Sequence, residues 1–333
     1  MADSVVGDGP PDRSAETARS MGRVLVLGGT GFIGSEVARG CRAAGFEVRA
    51  VARRRPDEWA SHRADELVLG DVEDPLLLNQ ALEGIDWVVH AVGCPPPAAS
   101  TDDFESTASA ILGLDTLLEA LRDRPGVGLT FVSSGGAVYG NAVRLPVDED
   151  MRCRPISAYG LGKLIAEDSI AAYSARYGIP VRILRVANAY GPEQDASSGQ
   201  GVIGAMLRAA VDGGSVPVFD GGRAVRDFVH VTDVTKAVVT LRPDRSEPQV
   251  VNVGSGVGHS ISQILSIVEA VTGSDLEISW LPRRPSDVRE IVLDVTRLQK
   301  LMAWHPRMLE DGITQTWQDL MGVAATSPDQ LSA

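Results

Sequence analysis

From Arg23 onward, short apolar runs alternate with amphipathic stretches. RVLVLG (23–28) is apolar and β-branched, and the glycine-rich stretch after it shifts to helical spacing until Gly45. FEVRAVAR (46–53) reads as a second strand, Glu66–Leu69 as a third, WVVHAV (87–92) as a fourth and LTFVSS (129–134) as a fifth. VRILRVAN (181–188) reads as a sixth. Helical patterns fall between them: LLLNQALEG before the fourth strand, a stretch ending near Arg124 before the fifth, and Ala158–Tyr177 before the sixth. Continuously apolar strands alternating with helices predict an α/β fold built on a parallel, doubly wound sheet. After Gly191 the alternation loosens, with Gly and Ser clusters at 197–201, 213–215 and 221–222. A nucleotide-binding domain is therefore expected over 21–190, with later segments such as 226–242 returning to it. A smaller C-terminal substrate lobe is expected over 191–325. Residues 1–20, rich in Gly, Pro, Ser and Asp, and residues 326–333 read as disordered tails.

Composition narrows the partners. A net charge of −13 over 333 residues disfavours nucleic acid and anionic membranes, so an anionic ligand would need a local basic cluster. No apolar run approaches the ~18 residues of a spanning helix. The N-terminal stretch lacks the apolar segment of a secretion signal. Cys41, Cys94 and Cys153 are odd in number and widely spaced, without a CxxC or CxxH pair. Neither disulfides nor a metal are expected, and a reduced, cytoplasmic setting fits.

The first strand runs into Gly28-Gly29-Thr30-Gly31-Phe32-Ile33-Gly34, which satisfies GxGxxG from Gly29 and GxxGxxG from Gly28. Between a strand and a helix, such a loop lets backbone approach a pyrophosphate at a helix N-terminus. The expected fold is thus Rossmann-like and the expected cofactor a dinucleotide. The second strand ends in Ala52-Arg53-Arg54-Arg55, with no carboxylate until Asp57. A carboxylate there would grip the free ribose of NAD, whereas Arg53 and Arg54 suit the 2′-phosphate of NADP. NADPH is therefore favoured. NAD is the alternative, with the arginines a solvated turn. Asp71, after the third strand, is placed either to bond adenine or to cap the helix that follows. Ala91, Val92 and Gly93, at the end of the fourth strand, are further expected cofactor contacts.

Tyr159 and Lys163 stand one helical turn apart in YGLGK. A phenol of pKa near ~10 is a weak acid–base group at neutral pH. A neighbouring ammonium favours its phenolate, so the pair can move a proton to or from a carbonyl or alcohol oxygen. Ser133 and Ser134 end the fifth strand, at the edge where ligands bind in such sheets. His90 and His230, between apolar neighbours, read as core residues.

GGTGFIG, SSGGAVYG (133–140), YGLGK (159–163), RVANAYGP (185–192), RDFVHVTD (226–233) and NVGSG (252–256) together resemble the extended short-chain dehydrogenase/reductases that act on nucleotide sugars. The likeness spans about residues 22–320. It implies Tyr159 as acid/base, Lys163 as its partner, and Ser133 or Ser134 as the hydroxyl that bonds the reacting oxygen. It implies Asp71 and Val72 beside adenine, Asn188 at the sugar, Phe219 by the nucleotide base, and Arg226 and Arg284 on the diphosphate. It also implies a homodimer through two helices. These carry apolar positions beyond one core-facing stripe, namely Leu112, Leu117, Leu118 and Leu121, then Leu161, Ile165, Ile170 and Tyr173.

The chain departs from the epimerase pattern in three places. Gly135 stands where the catalytic Ser or Thr is usual. Ala110-Ile111-Leu112-Gly113-Leu114 replaces NVxGT, and the carboxylate after the second strand is missing. Each departure weakens a direct transfer of the 4-epimerase mechanism. The basic turn after the second strand, Gly135, and an RAVARR segment (49–54) similar to sugar 4-ketoreductases favour a reductase of the 4-keto group of an NDP-4-keto-6-deoxyhexose, with dTDP as the nucleotide, of the kind used for antibiotic deoxysugars. The alternative is an NAD-dependent NDP-sugar 4-epimerase like UDP-glucose 4-epimerase. A dehydratase fits less well, because Gly135-Gly136 replaces its Asp-Glu pair. A cofactor-sensing binding protein would be expected to have lost Tyr159 or Lys163.

Overall fold

The computed structural model describes residues 21–54, 63–93, 104–194, 201–243 and 250–322. The two expected tails, Asp57 and Cys94 lie outside them. Strands β1 (Arg23–Leu27), β2 (Glu47–Ala52), β3 (Glu66–Leu69), β4 (Trp87–His90), β5 (Gly128–Ser134) and β6 (Val181–Val186) fall where the apolar runs predict them. They alternate with helices α1 (Phe32–Ala43), α2 (Pro75–Ala81), α3 (Phe104–Arg122) and α4 (Ala158–Tyr177). Every residue of β4 and β6 is buried, which is why these runs show no polar alternation.

Beyond β6 come β7 (Asn188–Tyr190), α5 (Val202–Asp212), β8 (Ser215–Phe219), β9 (Val225–His230), α6 (Val231–Thr240), β10 (Val250–Val253) and β11 (Gly258–Ser260). The chain then forms α7 (Ile261–Thr272), β12 (Glu277–Leu281), β13 (Glu290–Ile291), α8 (Thr296–Leu301) and α9 (Leu309–Leu320). The main sheet has seven parallel strands in the order β10-β6-β5-β4-β1-β2-β3. Its order reverses between β1 and β4, so a crevice opens at their carboxyl ends.

The segment 226–242 divides. Arg226–His230 belongs to β9 in a small sheet with β7, β11 and β13, while α6 packs on α1. A Cβ on Gly40 of α1 would lie 2.2 Å from Thr235 Cγ2 of α6, so the glycine permits that close approach. β10 joins the main sheet beside β6. Four positions assigned to a helical interface are instead core: Leu117, Leu118, Leu121 and Ile170 are buried under the main sheet. Leu112, Leu161 and Ile165 remain 59%, 41% and 39% exposed.

Candidate active site

The glycine loop is built by backbone geometry. Gly28 has φ +77, and a Cβ on it would lie 2.9 Å from the Ala91 carbonyl oxygen. Gly34 opens α1 so close to the loop that a Cβ would sit 2.1 Å from the Gly28 oxygen. The amides of Gly28 and Gly29 both donate to the Val51 carbonyl, at 3.0 and 3.2 Å, tying the loop to the end of β2. α1 begins at Gly31 without a side-chain cap and has no acidic residue in its first turn. Thr30, Phe32 and Ile33 are part-buried beside it. A close-approach backbone and an uncapped, positive helix end fit a dinucleotide pyrophosphate.

Arg53 and Arg54 follow β2 directly, are exposed, and form no ion pair with a described residue. Gly70 donates to the Ala52 carbonyl at 3.0 Å, so Asp71 emerges next to them. Of the two roles open to Asp71, capping belongs to another residue. Asp74 caps α2, accepting from Leu76 and Leu77, while Asp71 accepts from the Glu73 amide at 3.1 Å. Val72 abuts Gly113 of α3, where a Cβ would come within 2.9 Å of Val72 Cγ2.

Lys163 is 6% exposed at the carboxyl edge of the sheet. Its Nζ donates to the Val132 carbonyl at 3.0 Å and reaches the Val92 carbonyl at 3.5 Å. It lies 6.0 Å from the centre of the Tyr159 ring. Gly28, Ala91, Val92, Lys163 and Tyr159 thus form one continuous wall, with Gly93 just beyond it. Ser157 caps α4 by accepting from the Gly160 amide at 3.1 Å, which fixes the first turn that carries Tyr159.

The two serines separate. Ser133 Oγ donates to buried Glu167, which is paired with Arg185 at 2.7 Å. Arg185 also donates to Tyr139 Oη at 3.0 Å, and Tyr139 donates to Asn252 at 2.7 Å. Ser133 therefore belongs to a buried network joining β5, α4, β6 and β10. Ser134, on the opposite face of the strand, is part-buried and makes no side-chain hydrogen bond to a described residue. At Gly135 a Cβ would meet Leu293 Cδ1 at 2.6 Å and the Arg185 carbonyl oxygen at 3.0 Å, so a side chain there would require Leu293 to shift.

Asn188 donates to the Asp227 carbonyl at 3.0 Å and faces Gly136, where a Cβ would lie 3.5 Å from its Nδ2. Sequence reasoning missed the part of Asp227. Its carboxylate accepts from Ser255 N at 2.8 Å and Oγ at 2.7 Å, from Gly256 N at 3.1 Å and from Leu293 N at 3.2 Å. Burial raises its pKa, and these donors pull against the rise. The signal lay in RDFVHVTD, beside the arginine that drew attention. Asn188 pairs with Phe228, two residues along β9 from Arg226.

Among the described residues Arg226 donates only to carbonyls, of Val225 at 2.9 Å and Arg289 at 3.3 Å. Burial lowers its pKa; Asp287 opposes this and Arg284 adds to it. Arg284 stacks 4.1 Å over the Phe219 ring and pairs with Asp287 at 2.9 Å. The Phe219 ring is thus covered by one guanidinium, Arg284, whose charge also acts on Arg226. Arg223 is an exposed partner of Asp220 at 2.6 Å. His230 is a core residue whose Nδ1 accepts from the Thr232 amide at 3.3 Å. Among the described residues no cluster of three metal-ligating side chains forms, and no helix is long and apolar enough to cross a membrane.

The family described as NAD dependent epimerase/dehydratase matches residues 24–254. UDP-glucose 4-epimerase of Mycolicibacterium smegmatis is 31% identical over 309 residues, covering 88% of this chain and 97% of that protein. Thermotoga maritima UDP-glucose 4-epimerase, solved with UDP-glucose, superposes with a TM-score of 0.83 at 30% identity, covering 90% and 99% of the two chains. The Thermus thermophilus UDP-glucose 4-epimerase complex with NAD gives 0.78 at 30% identity, over 91% and 100%. With a family match across most of its length and a site of matching chemistry, the chain belongs to the NAD-dependent epimerase/dehydratase family of nucleotide-sugar enzymes.

Proposed function

We propose that the protein is an NAD-dependent NDP-sugar 4-epimerase acting on UDP-glucose and its C4 epimer. The sequence alone ranked this reading behind the 4-ketoreductase. The observation that carries it is end-to-end similarity to UDP-glucose 4-epimerases, together with a Tyr159–Lys163 pair set against the cofactor wall. NAD, when bound, would supply the hydride acceptor and donor for C4 of the sugar. Tyr159 receives the proton of the C4 hydroxyl and gives it back, and Lys163 keeps the phenolate accessible. Ser134 bonds the same oxygen, in place of the hydroxyl that Gly135 cannot carry. Arg226 and Arg284 hold the diphosphate, Phe219 the base and Asn188 the sugar side. The glycine loop, Asp71, Val72 and the wall from Ala91 to Gly93 orient the dinucleotide.

The 4-ketoreductase remains the second reading because of Arg53 and Arg54. They follow β2, are exposed and form no ion pair with a described residue, which supports NADPH. We further propose a homodimer through α3 and α4, on which Leu112, Leu161 and Ile165 are exposed. Cys41 and Cys153 are free thiols, which supports a cytoplasmic setting. Cofactor analysis of the purified protein tests the reading. Retained NAD supports the epimerase, and a cofactor-free protein that consumes NADPH with a ketosugar supports the reductase.

A further inference from the structure

His90 closes β4 at the carboxyl edge of the sheet. It is 3% exposed, and neither ring nitrogen has a hydrogen-bond partner among the described residues. An imidazole buried with two unused nitrogens is destabilising unless something polar reaches it. Beside the ring lies a small cavity walled by His90, Val92, Thr107, Phe131, Gly162 and Lys163, among others, with about 20 Å³ of water-sized space. That is room for one water. The walls are mostly apolar, and the polar groups among them are the imidazole, the Lys163 ammonium and the Thr107 hydroxyl, enough partners for one water. Burial, and then the charge of Lys163, push the His90 pKa down to about 3, so the ring is neutral and keeps one acceptor nitrogen.

We propose that one ordered water occupies this cavity, donating to the acceptor nitrogen of His90 and accepting from the Lys163 ammonium. This makes His90 a positioning residue for the acid–base pair, a role that rests on the reading of Tyr159 and Lys163 given above. The water solvates the ammonium from the side away from solvent, keeps it charged, and so keeps Tyr159 acidic. Among the described residues the titratable groups nearby are Tyr159, Lys163 and Glu167 of α4, the last held by Ser133 and Arg185. α3 and β5 present Thr107 and Phe131 to the cavity, neither of them charged.

The test compares the wild-type holoenzyme with His90→Phe and His90→Gln. A high-resolution crystal structure of the wild type should show a single water within hydrogen-bond reach of a His90 ring nitrogen and of Lys163. A dry cavity overturns the proposal, whatever the variants do. His90→Phe removes both ring nitrogens and should leave the melting temperature no lower. It should move the pKa governing kcat upward by about one unit and lower neutral-pH turnover about tenfold, with KM unchanged within about twofold. His90→Gln, which can still bond the water, should stay closer to wild type. An unchanged pH profile in His90→Phe would mean that His90 only packs the core, and would also overturn the proposal. The crystallographic result does not depend on the reaction, so loss of the epimerase reading and loss of the water are separately visible.

Discussion

Ser133 hands its hydroxyl to Glu167, while its neighbour Ser134 keeps its own free of every described side chain. Adjacent residues on a strand face opposite ways, so one serine serves the fold and the other the crevice. Ser133→Ala should cost about 1–3 kcal/mol, because the buried Glu167 loses a donor, with kcat within a few fold of wild type. Ser134→Ala should leave stability nearly unchanged and lower kcat about 10², the scale of a lost oxygen-bonding donor. Denaturant melts and initial rates on both variants check this. The reverse pattern would make Ser133 the reacting hydroxyl.

Acid should destabilise the fold through two buried histidines. Burial pushes His90 to about 3 and His230 to about 4, the latter with help from Arg307. Both folded values lie below the unfolded value of about 6.5, so the unfolded chain binds more protons between them. Their contribution is complete above pH ~6.5 and is lost as pH falls toward those values. The two together give a slope approaching about 2.7 kcal/mol per pH unit well below 6.5. Urea titrations from pH 7 to pH 5 should show it, and His90→Phe should remove about half. A flat dependence in the wild type would mean that neither ring is buried neutral.

Arg53 and Arg54 set the cofactor prediction. Arg53→Asp with Arg54→Ala should weaken NADP binding to the apoenzyme by about tenfold to a few hundredfold, as expected for exposed, salt-screened charges. NAD should bind more tightly, since a carboxylate accepts from the free ribose hydroxyl. Fluorescence titration of both cofactors measures it. If neither affinity moves, the arginines are solvated charges.

For the proposed dimer, Leu112 is the most exposed of the apolar positions on α3 and α4 that the dimer reading uses. Sedimentation at micromolar concentration should give a dimer for wild type and a monomer for Leu112→Glu, with the helical signal retained. A wild-type monomer would contradict the interface.

The centre of the sheet was legible because β1, β4, β5 and β6 are almost wholly buried and read as mainly apolar runs. β10 was not, because Val250–Val253 is a four-residue strand after a stretch without helix–strand rhythm. The glycine loop and the Tyr159–Lys163 spacing were legible because local backbone and one helical turn fix them. The choice between Ser133 and Ser134 was not, since it depends on Glu167, a partner 34 residues away. The same holds for Asn188, whose partner Asp227 comes from another strand. Leu117, Leu118, Leu121 and Ile170 seemed surplus to one stripe because α3 and α4 bury wider faces than a single stripe allows. The preference of reductase over epimerase rested in part on Gly135, where the fold sets Leu293 and the Arg185 carbonyl close to the glycine.

The most direct test of the central claim is epimerisation followed by proton NMR, using the protein as purified, UDP-glucose, and no added cofactor. Wild type should bring UDP-glucose and its C4 epimer to equilibrium catalytically, and Tyr159→Phe should do so at least ~10² more slowly, the scale of a lost general acid–base group. No epimer from wild type, or near-normal turnover by Tyr159→Phe, would contradict the account.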